Sequence, residues 1–266
     1  MNNNILILDG TFHAFKAYYS FINIDNFDMI YGMKLLFKKI FFNIKPKYII
    51  IVFDHPGNTY RNIIYNKYKI NRKKCSNDFI YQINKLKNFI KNMNIQIISI
   101  PSVEADDVIG TISKQCERNG LNVLISTCDK DMYQLISNKI KIINIYNNII
   151  IDNNFIINKY GIDSLLMIDY MSLVGDISDN IKGVIGIGPK IANILLNKIG
   201  NINKIYNNLN YIYNIKEIKN PKFIIKILKN YKNNVINALQ LIKINTNIFI
   251  GYKLYDMKIN YNKKYF

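Results

Sequence analysis

Short β-branched runs alternate with three- and four-residue apolar periodicity through the first half of the chain. Residues 5–8, 48–53, 95–100 and 122–126 read as buried strands, with helices at 29–42, 79–93 and about 105–118 between them. In the first of these helices Met29, Ile30, Met33, Leu36, Phe37 and Ile40 form one apolar stripe, the pattern of a helix packed on a sheet. A hairpin follows, 140–145 with 149–151 around Asn147 and Asn148. After about residue 153 the strand signal fades and helical patterns take over at 165–174, 191–199 and 223–242. The expected fold is α/β, a largely parallel central sheet with flanking helices over 1–158, followed by an all-helical domain over 159–266. Between Asp54 and Asp78 the periodicity is replaced by Pro56, Gly57 and many cations, which predicts a loop or loose helix, about 55–78, projecting from the sheet edge.

Composition supports a real core, with 49% hydrophobic residues in 266. The apolar run 5–8 is too short for a signal peptide and has no cationic segment ahead of it, and no run of about 18 apolar residues exists, so no membrane span is expected. Three cysteines without CxxC spacing indicate neither a disulfide framework nor a zinc site, so a reducing interior is the default and a cytoplasmic location is expected. The formal net charge of +18 fits a nucleic-acid binder, although charge alone fits a ribosomal or membrane-surface protein almost as well. Abundant Asn, Ile, Lys, Tyr and Phe with no Trp read as the imprint of an AT-rich genome of a bacterium or organelle. Part of the charge is therefore drift, and 201–214 and 230–234 read as solvated low-complexity surface.

Against that basic background the carboxylates are scarce yet grouped. Nine of eighteen fall at Asp9, Asp54, Glu104/Asp106/Asp107, Asp129/Asp131 and Asp176/Asp179. Asp9, Asp54 and Asp129 lie just beyond predicted strands, at the edge where open parallel sheets bind ligands. Any one of them is explained by a turn or a helix cap, and Glu104, Asp106 and Asp107 by a helix N-terminus. The coincidence of all nine exceeds what capping needs. Converging like charges repel unless a cation sits among them, and hard oxygens without accompanying His or Cys suit Mg²⁺, with Mn²⁺ as a substitute. Two such ions about 4 Å apart activate water against a phosphodiester, so His13 and His55, which flank two of the acids, read as structural.

A second signal is Gly183-Val-Ile-Gly186-Ile-Gly188-Pro189-Lys190. Gly186 and Gly188 permit a tight turn, and Pro189 suits the first position of the next helix. Such a turn offers backbone amides to a phosphate without reading bases, or is a plain helix-turn-helix corner. A dinucleotide fingerprint is excluded because the motif follows a helical stretch.

In order, LILDGTFHAFKAYYS, VFD, Tyr60-Arg61, Tyr68-Lys69-Ile-Asn-Arg72, VEADD, STCDKDMYQL and GDISDNIKGVIGIGPKIA resemble the 5′–3′ exonuclease family, the flap endonuclease-like amino-terminal domain of bacterial DNA polymerase I and its stand-alone relatives. The resemblance covers nearly the whole chain. It implies a PIN-like nuclease core and a helix-hairpin-helix type DNA-binding domain. It places Asp9, Asp54, Glu104 and Asp106 around a first metal with Asp107 beside it, and Asp129, Asp131, Asp176 and Asp179 at a second. It makes 58–74 a helical arch or clamp in which Lys69 and Arg72 act on the scissile phosphate. Lys16, Arg61, Tyr68, Lys73, Gly186, Gly188 and Lys190 are the implied DNA contacts, with K⁺ at the glycine turn. The implied substrates are DNA with a 5′ flap, nick or RNA primer, cut by a monomer to leave 5′-phosphates in replication and repair. A separate polymerase and ligase follow, since the chain has no room for a polymerase. Lys16 stands where the family usually has arginine, and Lys182 and Ile191 replace the usual proline and threonine. The alternative is a catalytically weakened branched-DNA-binding protein of the same fold, which leaves the grouped acids unexplained.

Overall fold

The computed structural model describes residues 4–22, 28–251 and 254–259. The chain ends, 1–3 and 260–266, assigned above to the two domains, lie outside them. Six strands form one sheet: β1 (Asn4–Asp9), β2 (Tyr48–Val52), β3 (Gln96–Ile98), β4 (Asn122–Ser126), β5 (Ile140–Asn144) and β6 (Ile149–Ile151). Their order is β3-β2-β1-β4-β5-β6, and every pair is parallel except β5 with β6. Ile5 to Leu8 and Ile49 to Val52 are buried at every position, the behaviour of parallel strands covered on both faces. The chain builds outward from β1 through β2 to β3 and then returns to place β4 on the other side of β1. The carboxyl ends of β1 and β4 therefore frame a topological switch point.

Among the described residues, the α-helices between these strands in sequence are α1 (Gly10–Phe21), α2 (Met29–Lys39), α3 (Tyr60–Ile64), α4 (Asn77–Asn92) and α5 (Ala105–Arg118). The predicted helix at 29–42 ends as α2 followed by a π-turn, Ile40–Ile44. Met33, Leu36 and Phe37 of α2 join Leu6, Leu8, Ile49, Ile51, Leu86 and Ile90 in one buried cluster. Each such side chain contributes roughly 1.5–3 kcal/mol by leaving water. Helix α1 carries only a sparse stripe, His13, Ala14, Ala17 and Tyr18, too weak to stand out in the sequence. It starts because Asp9 caps it.

The helical region comprises α6 (Asn153–Tyr160), α7 (Met167–Val174), a two-stranded hairpin of β7 (Gly175–Asp176) and β8 (Ile181–Lys182), α8 (Pro189–Lys198), α9 (Ile202–Asn207), α10 (Pro221–Asn230) and α11 (Lys232–Ile242). The single helix expected over 223–242 is broken at Tyr231, whose backbone takes φ −97° and ψ 11°. The polar stretch around it supplies no apolar side chain to hold a helix together, while Ile224, Leu228, Val235 and Leu241 on either side are buried.

By packing, the chain falls into two compact units that do not follow a linear boundary. One comprises the described residues of Met1–Thr59, Lys73–Asp152 and Ile244–Phe266, the other Tyr60–Arg72 and Asn153–Lys243. The cation-rich segment after Asp54 thus contains α3 and turns that pack with the helical unit. The chain beyond Ile244 returns to the sheet unit, where Lys258 bridges to Tyr48 at the start of β2. Among the described residues no helix is long and apolar enough to cross a membrane.

Candidate metal and nucleic-acid site

In the sheet unit the acids gather at the carboxyl edge. Asp9 ends β1 and caps α1, one carboxylate oxygen accepting from the Phe12 N–H at 2.9 Å and the other from the Thr127 hydroxyl at 3.0 Å. Asp54 follows β2 and is exposed, its Oδ1 accepting from the Ala105 N–H at 2.9 Å. It thereby caps α5 and ties the end of β2 to Glu104 and Asp106, which open that helix. The Glu104 Oε1 accepts from the Thr59 hydroxyl at 2.9 Å. Asp129 follows β4 and accepts the Asp131 N–H at 2.9 Å. Burial, with the charges of Asp54 and Asp129 adding to it, pushes the Asp9 carboxyl up to about 7 against the lowering effect of the Phe12 N–H and the Thr127 hydroxyl. Asp9 thus feels the carboxylates that follow the strands on either side of it, and a divalent cation bound there would offset that repulsion. The donor set is all oxygen, which fits a hard metal ion.

Asp107 departs from its neighbours. One residue further round α5, it is fully buried and its Oδ1 accepts the Asn245 N–H at 2.8 Å. One of its carboxylate oxygens thus anchors the returning chain at Asn245.

In the helical unit Asp176 and Asp179 sit on the β7–β8 hairpin and are buried. Asp176 Oδ1 accepts from the Ser178 N–H at 2.9 Å and from the Ser178 hydroxyl at 2.6 Å. Asp179 receives Arg72 at 2.5 Å, the Tyr68 hydroxyl at 3.1 Å and the Lys69 ammonium at 3.7 Å. Asn71 donates to the Ile177 carbonyl at 2.7 Å and Asn180 to the Lys67 carbonyl at 2.8 Å, so the clamp segment is knitted to the hairpin loop. The hairpin requires its glycines: a Cβ on Gly175, at φ +87°, would collide with the Gly183 backbone, and one on Gly183 with the Val174 backbone.

Among the expected DNA contacts, Lys16, Lys73, Gly186, Gly188 and Lys190 are exposed. Lys16 lies 5.6 Å from the Tyr146 ring centroid. Gly188 caps α8 with Pro189 in its first turn, as the motif required. Arg61 and Tyr68 are corrections. Arg61 is 2% exposed, and its guanidinium donates to the Leu241 carbonyl at 2.7 Å and the Lys243 carbonyl at 3.1 Å, closing the end of α11. Tyr68 is buried with its hydroxyl on Asp179, so neither faces a nucleic acid.

The hydroxyls of Thr11, Thr59, Thr127 and Ser178 were missed. Thr11 accepts the Asp54 N–H at 2.8 Å, Thr127 accepts the Asp129 N–H at 3.2 Å, and all four brace an acid or its backbone. Three of them stand within two residues of an acid in sequence, in DGT, TCD and DIS, which is the signal that could have found them. His13 is buried, with Nε2 2.8 Å from the Ser126 hydroxyl and Nδ1 2.9 Å from the Tyr146 hydroxyl, a structural place as expected.

A switch-point edge lined with oxygen ligands, in a chain that also carries an exposed glycine turn, defines a metal-dependent phosphodiester hydrolase. Residues 4–161 match the family model of the 5′-3′ exonuclease N-terminal resolvase-like domain, and 162–264 that of the 5′-3′ exonuclease C-terminal SAM fold. The chain is 40% identical over 270 residues to a 5′-3′ exonuclease of Buchnera aphidicola subsp. Acyrthosiphon pisum, covering 99% of this chain and 93% of that one. It is 36% identical to DNA polymerase I of Borreliella burgdorferi over 80% of this chain and 23% of that longer protein. The fold superposes on a bacteriophage T5 flap endonuclease, solved in a pseudo-enzyme–product complex with DNA and metal ions, with a TM-score of 0.77 at 19% identity over 91% of this chain and 90% of that one. The chain belongs to the 5′-3′ exonuclease family.

Proposed function

We propose that the protein is a structure-specific 5′ nuclease that hydrolyses DNA, and RNA primers on DNA, near junctions of single and double strand, leaving 5′-phosphates. The observation that carries this reading is the convergence of Asp9, Asp54 and Asp129 at the carboxyl ends of three adjacent parallel strands, in a chain whose net charge is +18. Asp9, Asp54, Glu104 and Asp106 would hold one Mg²⁺, and Asp129, Asp131, Asp176 and Asp179 a second or its waters. When bound, these ions supply charge neutralisation at the phosphodiester and activation of water. The chain's own contribution is positional. Thr127 and the Phe12 amide fix Asp9 in one orientation, and Asp54 is aimed by the α5 N-terminus that it caps. Lys69 and Arg72, resting on Asp179, are the cations that would neutralise a phosphate brought to that acid. The glycine turn would hold duplex backbone with K⁺, and the protein would act as a cytoplasmic monomer alongside a separate polymerase and ligase.

The test is cleavage of a 5′-flap substrate with Mg²⁺, products mapped to the nucleotide. Asp54→Ala and Asp129→Ala should each lower the single-turnover rate by roughly a hundredfold or more while binding in EDTA persists. Cutting without metal, or full activity in both variants, overturns the reading.

A further inference from the structure

At the β3 flank of the sheet, between that strand and the last turns of α4, lies a groove of about 570 Å³ lined by Lys87, Lys91, Asn94, Gln96, Ile97 and Ser99. Its size falls within the usual range for a ligand site. Lys87 and Lys91 are one helical turn apart on the same face of α4. Among the described residues no carboxylate lines the groove. Lys87 is half-buried with its ammonium 4.9 Å from the centroid of the ring of Phe53, the residue that precedes Asp54. Burial draws the Lys87 ammonium below its ordinary pKa, Asp54 opposes the shift and Lys91 adds to it. Two cations thus stand one helical turn apart with no acid among the described residues that line the groove, an arrangement that an anion relieves. Asn94, Gln96 and Ser99 add neutral polar groups. The groove also ends beside the acidic edge, since the Ser99 hydroxyl donates to the Asp54 carbonyl at 3.3 Å.

We infer that this groove is a backbone subsite that takes the phosphodiester backbone of the nucleic-acid strand reaching Asp54. The inference rests on the nuclease reading of the acidic edge and extends it along the β3 flank, to residues that no motif marks. Lysine ammoniums are point charges that hold phosphates without selecting a base, which matches a site that must accept any sequence.

The test is binding of a 5′-flapped DNA in EDTA, followed by fluorescence anisotropy between 50 and 200 mM salt, roughly the range over which counterion release is legible. Lys87→Gln/Lys91→Gln removes both charges and leaves an amphipathic stem beside Phe53. Lys91→Glu changes an exposed position that the core does not need. The double variant should flatten the slope of log Kd against log salt by about 1.4–1.8, two counterions' worth, and bind roughly tenfold more weakly. Lys91→Glu should move the slope in the same direction. An unchanged slope in both variants beside a steep wild-type slope overturns the subsite and leaves the nuclease reading intact. A flat wild-type slope overturns the nuclease reading itself. Inorganic phosphate supplies the third arm: if it shifts the Lys87 ammonium resonance at millimolar concentration while the DNA slopes stay equal, the groove is a small-anion site and the inference fails.

Discussion

Single residues here do more than their types announce. His13 is an example: α1 buries it between Ser126 and Tyr146, and burial lowers its pKa from 6.5 to about 3. The unfolded chain takes up a proton below about 6.5 and the folded one does not, so stability is fully present above that pH and is lost as pH falls towards 3. Between pH 7.5 and 5 this contributes about 2 kcal/mol of destabilisation. Urea titrations of wild type and His13→Gln at the two pH values should differ in pH dependence by that amount, with the variant flatter. Equal slopes would mean that His13 is not held neutral. Asp9 behaves in the opposite sense, its carboxyl raised by burial and by Asp54 and Asp129, which is the electrostatic reason that a cation belongs beside it. In sequence Asp9, Asp54, Asp106 and Asp129 were legible as a group because carboxylates are few. The separate employment of Asp107, Arg61 and Tyr68 was not, since each is defined by a partner more than 100 residues away, Asn245, Leu241 and Asp179.

Helices and strands were legible where their periodicity was strong. The buried runs of β1 and β2 and the stripe of α2 stand out because parallel strands and sheet-packed helices need continuous or regularly spaced apolar side chains. Short elements stabilised by caps or by tertiary partners were not, and α1, α3, α6 and α9 are of that kind. Helix α11 shows how far an end depends on a remote residue. Its final carbonyls are closed by the Arg61 guanidinium, which also lies 4.7 Å from the Tyr60 ring centroid. Arg61→Met should cost about 2–4 kcal/mol in chemical denaturation, because the helix-end carbonyls that the buried guanidinium satisfies are left without that donor. Lys73→Met, on an exposed residue of the neighbouring segment, should change stability by less than about 0.5 kcal/mol. A loss at Arg61 no larger than that at Lys73 would remove the capping role.

For the whole molecule, the balance of thirty-six cations against eighteen acids should appear as salt-sensitive binding. If six to ten phosphates are engaged, affinity for flapped DNA should fall by roughly 10³–10⁵ between 50 and 200 mM salt. A loss of less than about tenfold would show that the charge is not used on nucleic acid, and would overturn the nuclease reading with it. The sequence by itself determined the α/β-then-helical order, the grouping of the acids and the glycine turn, because these rest on local periodicity, on residue scarcity and on backbone freedom at glycine. Only the tertiary structure decided which strand ends meet at the switch point, that 60–72 packs with the helical unit, that the chain beyond 244 returns to the sheet, and that Asp179 is met by Lys69, Arg72 and Tyr68. These are contacts of high sequence separation. They follow from which buried faces match once the chain has closed, and no window of residues carries that information.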